Sequence, residues 1–442
     1  MATSLFDSPL YRDLFHDGEV GKLFSDSAEV RAMMIVEGAL ARAQAQTGVI
    51  PEISAAAIAR AAMETQIDPG ALTKGTGQNA VPVPAFVAAF REEMNAPEHA
   101  QYLHFGATSQ DIMDTALMLR MRQVLSILAD RLSSILTTLA NIAETHAHSP
   151  IAGRTYGQTA TLTSYGAVAA SWGNPLITLR TKLPQIQEEA LCVSLSGAAG
   201  TLSALGDKGL ETRAAFAQMT GLGDPGRSWH TDRVSITSLA SWMTQVTTSL
   251  GKIGEDLILM SASGISEITL GTAGSSSTMP QKQNPVQPSV LVSLSQLSAG
   301  LNATLLASSK HRQQRDGVAW MTEWLTFPQL CMATAKATAT ADAMLGKLSP
   351  DTGRMLDNAE DHLGLIYAEA LSFALSQTRP RPEAQAQVKA LCQQARAENT
   401  PLKELAFRAF SDLPLIDVFT PAHQLGLAPH EATDFAKRAR ET

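Results

Sequence analysis

Apolar residues recur at every third or fourth position over long stretches of this chain, the spacing of helices with one buried face. From Leu117 they fall at Met121, Val124, Leu128, Leu132, Ile135, Leu139 and Ile142, about seven turns without a break. A second run is Leu239, Met243, Val246, Leu250, Ile253, Leu257 and Met260; a third, shorter one is Val290, Leu294, Leu297, Leu301 and Leu305. Nearer the start, Val30, Met33, Met34, Glu37, Leu40 and Ala41 share one face of a helix expected over 27–47, with Gly48 and Pro51 beyond its end. Residues 160–190 have a helical pattern in which Pro175 and Pro184 must kink or end the helix. The stretch 70–84, rich in Gly, Pro and polar residues, reads as a loop. After about residue 351 the pattern shortens into small helices broken at 378–382 and 419–423. Very long helices find their natural use in a bundle. The expected fold is therefore all-α with three helical domains: an N-terminal one over 1–110, a central long-helix bundle over 111–350 and a small C-terminal one over 351–442.

Composition narrows the class. A chain of 442 residues exceeds what one core usually serves, and 45% hydrophobic against 17% charged residues is the balance of a folded protein. Aromatics are only 5%, and Ala and Leu fill long stretches, which favours helix. The net charge of −8 argues against a nucleic-acid partner, and it means that an anionic substrate needs a locally basic pocket. Cys192, Cys331 and Cys392 are far apart and lack metal-ligand spacing, so they read as inert thiols of a reducing compartment. The N-terminus carries Asp7, Arg12, Asp13 and Asp17 and no apolar signal region, and no run of 18 apolar residues occurs. A cytoplasmic protein without a membrane partner is expected.

Three polar segments interrupt the helices. In residues 104–116, Thr108, Ser109 and Asp111 stand just ahead of the long periodic run. They read either as a helix cap with an acidic first turn or as a seat for a carboxylate, since a helix N-terminus with hydroxyl donors binds anions without a cation. In residues 153–160, Arg154 and Gln158 are four apart and can present a guanidinium and an amide on one side. Residues 271–289 pack Ser275, Ser276, Ser277, Thr278, Lys282 and Asn284 into ten positions stiffened by Pro280 and Pro285. The bland reading is a surface loop. The functional one is a serine activated by nearby cations and backbone N–H groups on a segment that closes over a substrate.

From Ser276 to Asn284 the chain matches, without a gap, the Ser-Ser-x-Met-Pro-x-Lys-x-Asn signature of the fumarase/aspartase superfamily, which it resembles over nearly its whole length. The other two segments resemble that superfamily's other active-site regions, in the same order. Finer matches at 104–116, 196–206, 228–231, 323–331 and 362–375 are similar to the bacterial 3-carboxymuconate cycloisomerases. Lyases of the superfamily usually carry a histidine, their general acid, after Gly-Arg-Thr; here that place holds Tyr156. A ring closure has no amine or water to expel, so the loss is chemically coherent. Gln281 and Gln283 stand where the family tends to have His and Arg, which removes positive charge and leaves room for a sulfonated or dianionic analogue.

The resemblance implies a homotetramer whose active sites draw on three subunits, and no metal or organic cofactor. It implies closure of 3-carboxy-cis,cis-muconate, or a close analogue, to its lactone in aromatic catabolism, with Ser276 as the proton-transfer residue and Ser277 the weaker choice. Lys282 and Asn284 would bind one carboxylate, and Thr108, Ser109 and Gln158 another. Arg154 and Arg315 would supply charge, His104 would line the pocket, and His230 is a candidate second proton carrier. The competing reading within the superfamily is an adenylosuccinate lyase-like carbon–nitrogen lyase releasing fumarate, with Tyr156 or His230 as acid. Outside it, the competitor is a catalytically silent helical scaffold, against which Ser276, Lys282 and Asn284 together argue.

Overall fold

The computed structural model describes residues 3–271, 274–275, 279 and 281–442. The protein is helical. Its long helices are α1 (Asp26–Gln46), α2 (Ser109–Thr145), α3 (Tyr165–Ala190), α4 (Val234–Met260), α5 (Val286–Ser308) and α6 (Gly317–Leu345). Among the described residues the strands form only two-stranded ladders, including β1 (Pro150–Thr155) with β2 (Gln158–Ser164) and β3 (Gly274–Ser275) with β4 (Gln283–Asn284).

The chain divides into two compact units. One comprises Met1–Asp130, Thr181–Thr248 and Leu294–Ala339; the other comprises Arg131–Arg180, Ser249–Ser293 and Thr340–Thr442. Each of α2–α6 contributes residues to both. In the first unit, α1 buries Val30, Met33, Met34, Leu40 and Ala41 against the helices Glu52–Glu64 and Gly209–Thr220. Glu37 lies on the same face and is buried too. In the second unit, Ala152 and Leu162 of the β1–β2 hairpin join Ile366, Tyr367, Leu371, Leu375, Leu402 and Phe419 in one apolar cluster.

The four apolar runs all fall inside helices, and the loop expected over 70–84 is corrected. Residues 70–84 are not one loop: Thr73–Asn79 is helical, entered through a 3₁₀ turn at Pro69–Leu72 and stopped by Ala80 at φ 61. Pro69 starts that turn, where its missing N–H has no cost, and Asp68 accepts the N–H of Gly70. Residues 153–160 belong to the β1–β2 hairpin. Its two-residue turn, Tyr156 (φ 52) and Gly157 (φ 73), has the left-handed backbone that matches strand twist. Of the two outcomes expected at Pro175 and Pro184, ending the helix does not occur, since α3 runs through both. Helix α5 is long and apolar enough to cross a membrane by length and composition, although Ser289, Ser293 and Gln296 interrupt its apolar residues; only 28% of its most apolar window is buried.

Candidate active site

Helix α2 begins at Ser109, and Thr108 is its cap. The backbone N–H of Thr108 donates to Asp111 Oδ2 (3.0 Å), while the Thr108 carbonyl accepts from Asp111 N (3.0 Å). This is the return half of a capping box, with an acid at the third helical position reaching back to the cap. Asp111 does more than cap. Its Oδ2 also accepts from Gly197 N (3.0 Å), and its Oδ1 accepts from Ser196 N (2.9 Å), His230 Nε2 (2.8 Å) and Ser194 Oγ (3.3 Å). One fully buried carboxylate thus ties the segments around 108, 196 and 230 together. An isolated charge at that depth is costly, and five donors offset the cost.

The hydroxyls of Thr108 and Ser109 are half-buried and have no hydrogen-bond partner among the described residues. They stand at the positive end of a 37-residue helix, where a carboxylate is stabilised. Arg315 is placed beside them: its Nε donates to Gln110 Oε1 (3.1 Å) and an Nη to the carbonyl of Ala198 (3.2 Å). His104 sits four residues before the cap with φ 63, and Gly106 follows at φ 69. Its Nδ1 lies 2.7 Å from Oε1 of Glu37, whose Oε2 accepts the His104 backbone N–H (3.2 Å). Burial disfavours charge on this imidazole, but the Glu37 carboxylate, helped by Asp111, raises the pKa above the ordinary histidine value. The first unit therefore gathers His104, Thr108, Ser109 and Arg315 around Asp111.

Next to them lies a buried charge cluster. Arg233 donates to Asp114 Oδ2 (2.8 Å) and to Glu323 Oε2 (3.0 Å), all three side chains being almost wholly enclosed. Burial alone would make Arg233 less basic; the two carboxylates reverse that and hold it firmly protonated. Burial raises Glu323 against the pull of Arg233. Asp114 and Glu323 also line a cavity of about 440 Å³ with Met33, Leu117, Arg120 and Trp324; among the described residues, no site residue expected from sequence lines it.

The second unit holds the rest. Arg154, on β1, gives both terminal nitrogens to the buried Glu267, at 3.1 and 2.6 Å. Gln158 opens β2 opposite Thr155, and Tyr156, between them at the tip, is fully exposed. Lys282 is exposed and has no carboxylate partner among the described residues; Asn284 pairs with Gly274 across the β3–β4 ladder. Ser276, with Ser277, lies outside the described residues.

A family model described as Lyase matches residues 18–297. This chain belongs to that lyase family, within the fumarase/aspartase superfamily. It is 35% identical to a 3-carboxy-cis,cis-muconate cycloisomerase from Pseudomonas aeruginosa over 98% of both chains. A nitrosuccinate lyase from Streptomyces davaonensis is 32% identical over 96% of this chain and 94% of its own. The crystal structure of a 3-carboxy-cis,cis-muconate lactonizing enzyme from Pseudomonas putida superposes with a TM-score of 0.92 at 32% identity, covering 98% of this chain and 99% of that one. The chain is thus an enzyme of the lyase superfamily with its helical fold.

Sequence reading of this superfamily member gave Glu37 no role and saw Asp111 only in a helix cap, although these two carboxylates organise the first unit. Glu37 left a signal: it is the one charged residue in the apolar stripe of α1. Asp111 left a weaker one, as the acid of a capping pattern. His230, the candidate proton carrier, is 2% exposed and spends Nε2 on Asp111.

Proposed function

We propose that this lyase-superfamily enzyme is a cycloisomerase that closes 3-carboxy-cis,cis-muconate, or a close analogue, to a carboxymuconolactone in aromatic catabolism. One substrate carboxylate adds across a conjugated C=C, forming a C–O bond. The π electrons pass to the carbon next to another carboxylate, and a proton is delivered there. No atom is lost. Negative charge grows on the second carboxylate in the transition state, so fixed donors are needed where it develops. The observation that carries this reading is the pair of hydroxyls without a hydrogen-bond partner among the described residues at the N-terminus of α2, beside Arg315, in a chain that matches a cycloisomerase over 98% of its length. Thr108, Ser109 and Gln158 take one carboxylate, Lys282 and Asn284 take another, and Ser276 transfers the proton. The half-exposed Arg154 contributes charge from its ion pair with Glu267. Tyr156, where the superfamily's lyases carry a histidine, supports a reaction without a leaving group to protonate.

The enzyme works as a homotetramer whose sites draw on several copies. Two features support that reading: the fully exposed Tyr156 at the hairpin tip, and the poorly buried α5 with Leu297 and Leu306 exposed. A three-domain organisation over 1–110, 111–350 and 351–442 belongs to the same reading. The test is loss of the ultraviolet absorbance of the conjugated diene when the protein meets 3-carboxy-cis,cis-muconate. Turnover with lactone as product supports the proposal; an inert diene overturns it. The relative named nitrosuccinate lyase favours a second reading, a carbon–nitrogen lyase, and release of fumarate from adenylosuccinate would establish it.

A further inference from the structure

The substrate proposed above carries three carboxylates, yet the signature loop offers Lys282 between Gln281 and Gln283, and Arg154 is already paired. Where further positive charge comes from is a question for the first unit. His104 is the residue there with the most unusual setting. Its backbone is left-handed at φ 63, a conformation uncommon outside glycine. Glu37 reaches it across 67 positions of sequence and binds it twice, at the backbone N–H and at Nδ1. The Glu37 side chain is 1% exposed. A carboxylate taken out of water on a helix face lined with Val30, Met33 and Leu40 is destabilising unless a charged partner meets it.

We propose that Glu37 is a positioning residue of the substrate site: it fixes the His104 ring and keeps it in the imidazolium form, so that Nε2–H meets a substrate carboxylate as a charged donor. The inference rests on the reading in which His104 lines that site. The geometry supports it in three ways. An ionised carboxylate only accepts, so the hydrogen at Nδ1 belongs to the imidazole, and 2.7 Å is the length of a charge-assisted bond. Nε2 has no partner among the described residues, on a side chain 18% exposed, and is therefore open to a ligand. The charged groups facing the ring are Glu37 from α1, Asp111 from α2 and Arg91 from the helix Val83–Met94, two carboxylates against one guanidinium. Their balance raises the imidazole's proton affinity despite burial. Arg91 is itself held by the carbonyl of Leu103 at 2.9 Å.

The test is a histidine ring titration by NMR on the intact protein and on Glu37→Gln, a change of almost the same shape, with His104 assigned by the signal lost in His104→Asn. We expect His104 of the unsubstituted protein to titrate above the ordinary value of about 6.5, and Glu37→Gln to lower it. In the diene assay, Glu37→Gln should lose about tenfold in kcat/KM near pH 7.5, mostly through KM, and recover as the pH falls and the ring protonates again. Equal titration in the two proteins, or an unsubstituted His104 at or below the ordinary value, overturns the proposal; the second criterion decides even if Glu37→Gln does not fold. A purely structural Glu37 would lower stability and leave both pH curves where they were. If His104 titrates high but the diene stays inert, the cycloisomerase reading fails and the charged dyad stands.

Discussion

The two compact units carry their share of the candidate site in opposite ways. Around the start of α2, three of the groups that could face a substrate are held by hydrogen bonds within the unit, two of them from buried carboxylates. Glu37 holds His104, Asp111 holds the Thr108 cap, and Gln110 and the Ala198 carbonyl hold Arg315. In the second unit Arg154 alone of the candidate groups is shown held by a buried carboxylate, Glu267, while Tyr156 and Gln158 at a hairpin tip and Lys282 beside a two-residue ladder are displayed at the surface. The contrast separates donors organised within one unit from exposed groups that, on the proposed reading, gain their setting only when another copy covers them. Preorganised donors stabilise developing charge with little reorganisation, whereas exposed ones contribute little until water is excluded.

The largest expected effect falls on the signature loop. Ser276→Ala should lower kcat by about 10²–10⁴-fold with little change in KM, the range for losing a positioned proton carrier. Near-normal turnover there, with turnover abolished in Ser277→Ala, would move the role one residue along. On the buried side, Asp111→Ala leaves the N–H groups of Thr108, Ser196 and Gly197 and the His230 ring without their acceptor. It should cost about 3–5 kcal/mol of stability in urea unfolding. A loss below about 1 kcal/mol would mean that the seat is not organised by this carboxylate.

Lys282→Met separates the units further. An exposed lysine contributes little to stability, so the unfolding midpoint should stay put. KM should rise and kcat fall together, by about ten- to a hundredfold in kcat/KM, because a carboxylate partner is bound in both ground and transition states. Unchanged kinetics would leave Lys282 in solvent throughout. The smallest effect should come from Tyr156→Asn. Asparagine suits the first position of this turn better than tyrosine, so stability should rise by about 0.5 kcal/mol. A drop in activity despite that gain would show that Tyr156 is kept for function.

How far the sequence revealed this molecule depended on period and on distance. The runs from Leu117, Leu239 and Val290 were legible because each has one apolar face sustained over several turns. Helix α6 was not, because it buries Phe327, Leu330, Cys331, Ala333, Thr334, Ala335 and Thr338 around most of its circumference and so has no stripe to find. The hairpin was hidden because Tyr-Gly is not a turn pair that announces itself, and exposure from Tyr156 to Thr161 removes the alternation of a half-buried strand. In the site, the cap at Thr108 was local and readable. The link from Asp111 to His230 spans 119 positions, and only packing brings such residues together.

The most direct test of the central claim, that the anion seat and the signature loop act in one site built from different copies, is complementation. Ser109→Arg fills the seat, Ser276→Ala removes the proton carrier, and each homo-oligomer should be inactive in the diene assay. When the two are unfolded together and refolded, some sites in the mixed tetramers receive an intact seat and an intact loop, and measurable lactonisation should return. Mixed tetramers, confirmed by light scattering, that stay as inactive as either parent would contradict the account.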